Sequence, residues 1–156
     1  AHTPMPEMAA RWHGAGQRVF SYASPQVGVE QPETYRRNYG LLLWKAGFDG
    51  ACDYAYQHGF GNVWDDFDSR SYRDHVFAYP TADGVIDTVE WEGFREGVDD
   101  VRYLTTLLAT IRRAEADPAK RKLAAEAKKW VAAMEVHGDL DRLRAEMVRW
   151  IVRLGS

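Results

Sequence analysis

The sequence predicts an α/β fold: about two parallel strands with their helices, then a long helix and a C-terminal helical hairpin. Three observations carry this. Two short β-prone runs, RVFSYA (Arg18–Ala23) and DGACDYAYQ (Asp49–Gln57), flank a proline-led amphipathic segment. Trp91, Phe94, Val98, Val101, Leu104, Leu108 and Ile111 recur at three- and four-residue steps, the spacing of one helical face. From Asp117 onward the register is helical alone.

Taken in order, residues 1–16 carry Pro4, Pro6, Gly14 and Gly16 and read as irregular, with a turn of helix near Met8 to Trp12. The first strand follows, and Ser24 to Gln31, with Pro25 and Gly28, is a loop. Pro32 stands at a first helical position, Tyr35, Tyr39, Leu42 and Leu43 form the apolar face, and Gly47 stops the helix. Strand, helix and strand at this spacing make a βαβ unit, hence a parallel pair. His58 to Arg70 is a polar and aromatic loop, and Val76 to Tyr79 a brief extended piece before the turn at Ala82-Asp83-Gly84. Asp87 and Glu90 stand in capping-box order at the start of the long helix, which runs to about Ala116. Gly93 and Gly97, one turn apart, mark a close approach to a neighbouring element. Asp117-Pro118 pairs an N-cap with proline at the first helical position, ahead of a stripe of Leu123, Ala127, Trp130 and Met134. Asp139 opens a last helix with Leu140, Leu143, Met147, Trp150, Ile151 and Leu154 on one face.

Composition excludes more than it identifies. At 46% hydrophobic the chain can bury a core, and a formal charge of −3 gives no reason to expect nucleic acid or an anionic membrane surface. No run approaches the ~18 apolar residues of a membrane span, and AHTPMPEM lacks the apolar core of a signal peptide. A single cysteine, Cys52, allows no internal disulfide. His58 and His75 share a region with Cys52 and Asp53, but no pair has a spacing typical of zinc. The phosphate-loop spacing and the nucleophile-elbow motif are both missing, so neither metal nor cofactor is expected.

The run YPTADGVIDTVEWEGFREGVDDVRYLTTL, with RVFSYASPQVGVEQPETYRRNYGLLLWKAGFDGACDYAYQ before it, resembles the closing segment of glycoside hydrolase family 123 catalytic domains. The resemblance spans roughly Gly14 to Leu108. It implies a (β/α)8 TIM-type barrel acting on N-acetylgalactosamine-containing glycans. A complete barrel typically needs ~250 residues, so a chain of 156 is expected to be its C-terminal portion. Residues 1–116 would be the last βα units and residues 117–156 a helical tail packing on them. The family is thought to use an adjacent Asp-Glu pair that assists the substrate's own N-acetyl group. This chain contains no Asp-Glu dipeptide; its adjacent acids are Asp65-Asp66 and Asp99-Asp100. No catalytic residue is carried over, and the chain alone is expected to be inactive.

In parallel βα architectures ligands meet the C-terminal ends of strands and the loops after them. That rule selects Ser24 to Gln31 and, more richly, Asp53, Tyr54, Tyr56 and Gln57 running into His58, Asn62, Trp64, Asp65, Asp66 and Asp68. Sugars need an aromatic face and carboxylates or amides for their hydroxyls. Trp64, Tyr54, Tyr56, Asp53 and Asp66 are the candidate substrate-binding residues. Against this, alternate strand residues must face the outer helices, Asp-rich loops are ordinary turns, and a Trp can be a local anchor. Glu92, Arg95, Glu96, Asp99, Asp100 and Arg102 read as the solvated face of the long helix, with Arg95–Asp99 at ion-pair spacing. Asp87, Glu90 and Trp91, at the helix N-terminus, are expected near the barrel rim.

The expected role is therefore closing the barrel and shaping a glycan cleft. The expected partners are a glycan and the N-terminal remainder of the barrel, with no nucleic acid and no membrane. The rivals are a stand-alone carbohydrate-binding or protein-interaction module and an inactive, degenerate barrel. Two parallel strands alone leave edges and a bare sheet face, which weighs against a free-standing module. A parent reading frame extending roughly 200 residues upstream, with an Asp-Glu pair after a strand, would decide for the first reading.

Overall fold

The computed structural model describes residues 4–22, 31–53, 55–70 and 74–156. The fold is mixed α/β. In chain order it comprises α1 (Pro6–Gly14), β1 (Phe20–Ser21), α2 (Pro32–Tyr39), α3 (Leu41–Lys45), β2 (Gly50–Ala51), β3 (Gln57–His58), β4 (His75–Val76), β5 (Ala78–Pro80), β6 (Val85–Asp87), α4 (Val89–Ala116), α5 (Arg121–Ala133) and α6 (Leu140–Gly155). Two compact units divide it, Ala1–Val98 and Asp99–Ser156. The division falls inside α4, upstream of the edge expected at Asp117.

In the first unit, β1 pairs in parallel with β2, Phe20 opposite Gly50 and Ser21 opposite Ala51, as the βαβ reading requires. The pairing is shorter than expected: Cys52 N still donates to Ser21 O at 2.7 Å, and beyond it the chain leaves the ladder. Gln57 and His58 pair instead with Val76 and His75, antiparallel. The crossover helix is broken at Gly40 into α2 and α3. A Cβ there would lie 2.9 Å from Gly97 O, so only glycine lets α4 come this close. At the end of α3, Gly47 adopts a left-handed φ of 76°. Gly47 N donates to Trp44 O and Phe48 N to Leu43 O, the paired bonds of a Schellman stop.

The core of this unit is aromatic: Tyr35, Tyr39 and Phe77 are buried, with Ala51, Trp91 and Phe94 packed around them. Tyr35 stacks on Tyr39 at 5.5 Å, and Phe77 meets Phe94 edge-on at 5.6 Å. The hairpin β5–β6 was not expected. Val85–Asp87 pairs with Ala78–Pro80 around the turn at Thr81–Gly84, which places Asp87 in a strand opposite Ala78. The cap of α4 is therefore Thr88, whose Oγ1 accepts from Trp91 N at 3.3 Å, and the Asp87–Glu90 capping box does not form. Gly93 and Gly97 do mark the closest approach, and the neighbour is α2: added Cβ atoms would sit 2.2 Å from Pro32 O and 2.7 Å from Arg36 O.

α1 is a full helix rather than one turn, and it is tied to the sheet by Asp49. Its Oδ2 accepts from Val19 N at 2.8 Å and pairs with His13 Nε2 at 2.9 Å. The Val19 bond, then His13, holds the Asp49 carboxyl below the usual carboxylate range. Its folded pKa lies below the unfolded value, so this tie is present above the ordinary carboxylate pKa and is lost as pH falls through the depressed one. In an acid titration followed by NMR, the Val19 amide should shift with a midpoint below that of a free aspartate. A midpoint at or above it would contradict the bond.

The second unit is helical. Leu104, Leu107, Ile111 and Ala114 of α4, Ala124, Ala127, Val131 and Met134 along α5, and Leu140, Met147 and Leu154 of α6 are buried. Asp139 caps α6 as expected, accepting from Arg142 N at 2.9 Å. Asp117 Oδ1 accepts from Ala119 N at 2.9 Å and so caps a turn, with α5 beginning only at Arg121. One charge departs from the expected solvated face: Asp100 is 0% exposed and accepts from Arg144 Nε at 2.5 Å. The Arg144 guanidinium also lies 5.6 Å from the centroid of Tyr103. Arg95 pairs with Glu92 at 2.7 Å and Glu96 at 2.9 Å.

Candidate functional site

The segment after β2, the Gly59–Arg70 loop, β5 and the start of α4 bring the polar and aromatic residues of the first unit together. Asp53, two residues beyond the end of β2, accepts a hydrogen bond from the Tyr39 hydroxyl. Burial, then the charge of Asp53 and that bond, push Tyr39 far above the ordinary tyrosine range. A second tyrosine–aspartate pair lies alongside: Tyr79 Oη donates to Asp66 Oδ2 at 2.7 Å. Burial and this bond raise the Tyr79 hydroxyl to about 12. Glu90, buried at the N-terminus of α4, is within electrostatic reach of both hydroxyls. Both tyrosines thus remain protonated donors through neutral pH.

Over this polar floor lies an aromatic surface. Trp64 stacks on Tyr79, centroids 5.1 Å apart and planes 12° from parallel, yet remains 50% exposed. Tyr56, exposed, stands edge-on to Trp91 at 6.4 Å. Phe60 and Phe67 are also exposed on the loop.

Side chains within the loop, together with Asp74 beyond it, hold its backbone. Phe60 N donates to Asp74 Oδ1 at 2.7 Å and Asn62 N to Asp68 Oδ2 at 2.6 Å. Trp64 N donates to Asn62 Oδ1 and Phe67 N to Asp65 Oδ1, both at 3.1 Å. The three bonds within the loop, with the longer reach of Asp74, are why an Asp- and Gly-rich sequence adopts a defined loop without regular structure.

Of the residues selected from sequence, Asp53, Tyr56, Trp64 and Asp66 are placed in this region, while Tyr54 lies outside the described residues. So does all of the Ser24–Gln31 loop except Gln31. Gln57 is structural, its Nε2 donating to Ala78 O at 2.6 Å. Glu90 and Trp91 join the cluster, whereas Asp87 is exposed in β6. Sequence reasoning missed Tyr39 and Tyr79. Tyr39 reads as one apolar position of a helix face and Tyr79 as part of a brief extended piece, and only the fold sets an aspartate beside each hydroxyl.

Among the described residues, no group of three or more His, Cys, Asp or Glu could hold a metal ion, and no helix is long and apolar enough to cross a membrane. Comparison with known protein families, with curated proteins and with solved structures finds no match to this chain.

Proposed function

We propose that this chain is the closing segment of a glycoside hydrolase-like (β/α)8 catalytic domain, resembling family 123, in which it shapes the glycan cleft and supplies neither acid nor base. The observation that carries the reading is Trp64: a ring stacked on Tyr79, half exposed, above the Tyr79–Asp66 pair. A pyranose presents an apolar C–H face and a rim of hydroxyls. An indole face beside tyrosine hydroxyls and carboxylates complements both. The parallel pairing of β1 with β2, with Asp53 two residues past the end of β2, supports a site at the C-terminal end of parallel strands. The proposed partners are a glycan containing N-acetylhexosamine and the N-terminal remainder of the barrel.

Trp64→Ala tests this. Calorimetric titration with an N-acetylhexosamine oligosaccharide should show affinity falling roughly tenfold, ~1–2 kcal/mol. Loss of the Tyr79 stack should cost about 0.5–1.5 kcal/mol of stability at the same time. A lower melting temperature with unchanged glycan affinity would make Trp64 a local anchor and overturn the proposal.

A further inference from the structure

We propose that His58 and His75 form a cross-strand binding site for a divalent transition-metal ion of the zinc, nickel and copper class. The bound ion clips together the two ends of the segment that carries Trp64. The proposal is independent of the glycan reading. His58 and His75 stand directly opposite each other in the antiparallel pairing of β3 with β4. Residues so placed project from the same face of the strand pair, their Cβ atoms about 4.5–5.5 Å apart. The two imidazole rings lie 6.4 Å apart between centroids, with their planes at 59°. Given a metal–nitrogen bond of ~2.0–2.1 Å and the size of the ring, two imidazoles on one ion have centres about 5–6.5 Å apart. The observed separation sits at the upper end of that span, and the broad χ2 torsion of histidine lets the rings turn toward a tetrahedral angle.

The backbone beneath the pair is fixed on both sides. Phe77 N donates to Tyr56 O at 3.0 Å on one, and Phe60 N to Asp74 Oδ1 at 2.7 Å on the other. The Phe60 ring packs against both imidazoles, 4.8 Å from His58 and 5.9 Å from His75. Both histidines are half-buried, so an ion reaches them from solvent. Imidazole suits zinc, nickel and copper, whereas magnesium and calcium demand oxygen ligands. Among the described residues no third His, Cys, Asp or Glu completes the set, which leaves the remaining coordination positions to water. Residues 59–74 lie between the two ligands in the chain. A clip across their ends removes loop-closure entropy from the unfolded chain and so stabilises the fold.

The test adds zinc chloride alone to the full chain above neutral pH and follows the ring C–H signals of the five histidines by NMR. His58 and His75 should shift together and saturate with a single ion per chain, ahead of His2, His13 and His137, and the melting temperature should rise. Magnesium chloride should change neither readout. By calorimetric titration, His58→Gln and His75→Gln should each weaken zinc binding about tenfold or more, and the gain in melting temperature should disappear in both. His137→Gln should bind as the wild type does. Absence of zinc binding, a response centred on His2 or on the His13–Asp49 pair, or equal binding of magnesium overturns the proposal. Wild-type affinity retained by either ligand variant overturns it as well, as does a saturating shift of only one of the two rings.

Discussion

Arg144→Met should destabilise the protein by about 3–5 kcal/mol, because it strands a carboxylate that is 0% exposed. Asp100→Leu should cost less: the Arg144 side chain is 22% exposed and lies near the Tyr103 ring, so its charge retains some solvent and an aromatic neighbour. The double replacement should recover most of the loss, since an apolar pair of similar volume often matches or exceeds a buried ion pair. Chemical denaturation of the three variants checks the order. A single-variant loss below about 1 kcal/mol for Arg144→Met would mean that Asp100 is open to solvent.

Gly93→Ala has the second largest expected effect, and its sign is the informative part. In an open helix the change gains about 1 kcal/mol. Here the new Cβ would lie 2.2 Å from Pro32 O and 2.8 Å from Pro32 Cα, backbone atoms that cannot rotate away. Overpacking should win, with a net loss of ~1–3 kcal/mol. Gly14→Ala in α1 is the internal control, because nothing stands within 4 Å of its Cβ position. It should leave the melting temperature unchanged or raise it. A Gly93 variant that gains stability would show that α2 and α4 are further apart than described.

These two predictions also mark where sequence patterning stopped. The buried line of α4 is Glu90, Gly93, Gly97, Asp100, Leu104, Leu107, Ile111 and Ala114, in alternating steps of three and four. Its apolar half was legible through Leu104 and Ile111. In its first half Gly93 and Gly97 were legible as a close approach, now seen to be to the α2 backbone, but Glu90 and Asp100 were not, because a carboxylate carries no hydrophobic signal and is buried only by what meets it, Arg144 at Asp100. Hydrophobicity alone pointed instead to Val98, which is exposed. The parallel pair was legible because its two runs flank a helical pattern of the right length. The β5–β6 hairpin was not, since three residues of Val-Ile-Asp continue smoothly into a helix start.

At the site, the rule that loops after parallel strands carry ligands selected Asp53, Tyr56, Trp64 and Asp66 as candidates. It could not find Tyr39 or Tyr79, whose roles depend on hydroxyl partners distant in the sequence. Nor could the sequence separate a substrate-stacking Trp64 from a packed one. In the structure Trp64 stacks on Tyr79 and stays half exposed, a placement compatible with either role.

The most direct test of the proposed glycan surface uses the six tryptophans as reporters: Trp12, Trp44, Trp64, Trp91, Trp130 and Trp150. Their indole N–H signals can be followed by NMR while an N-acetylhexosamine oligosaccharide is added to the full chain. The account predicts a saturating shift largest at Trp64, a smaller one at Trp91, and none at Trp12, Trp44, Trp130 or Trp150. A titration that leaves Trp64 unmoved, or that centres on Trp130 or Trp150, would contradict it.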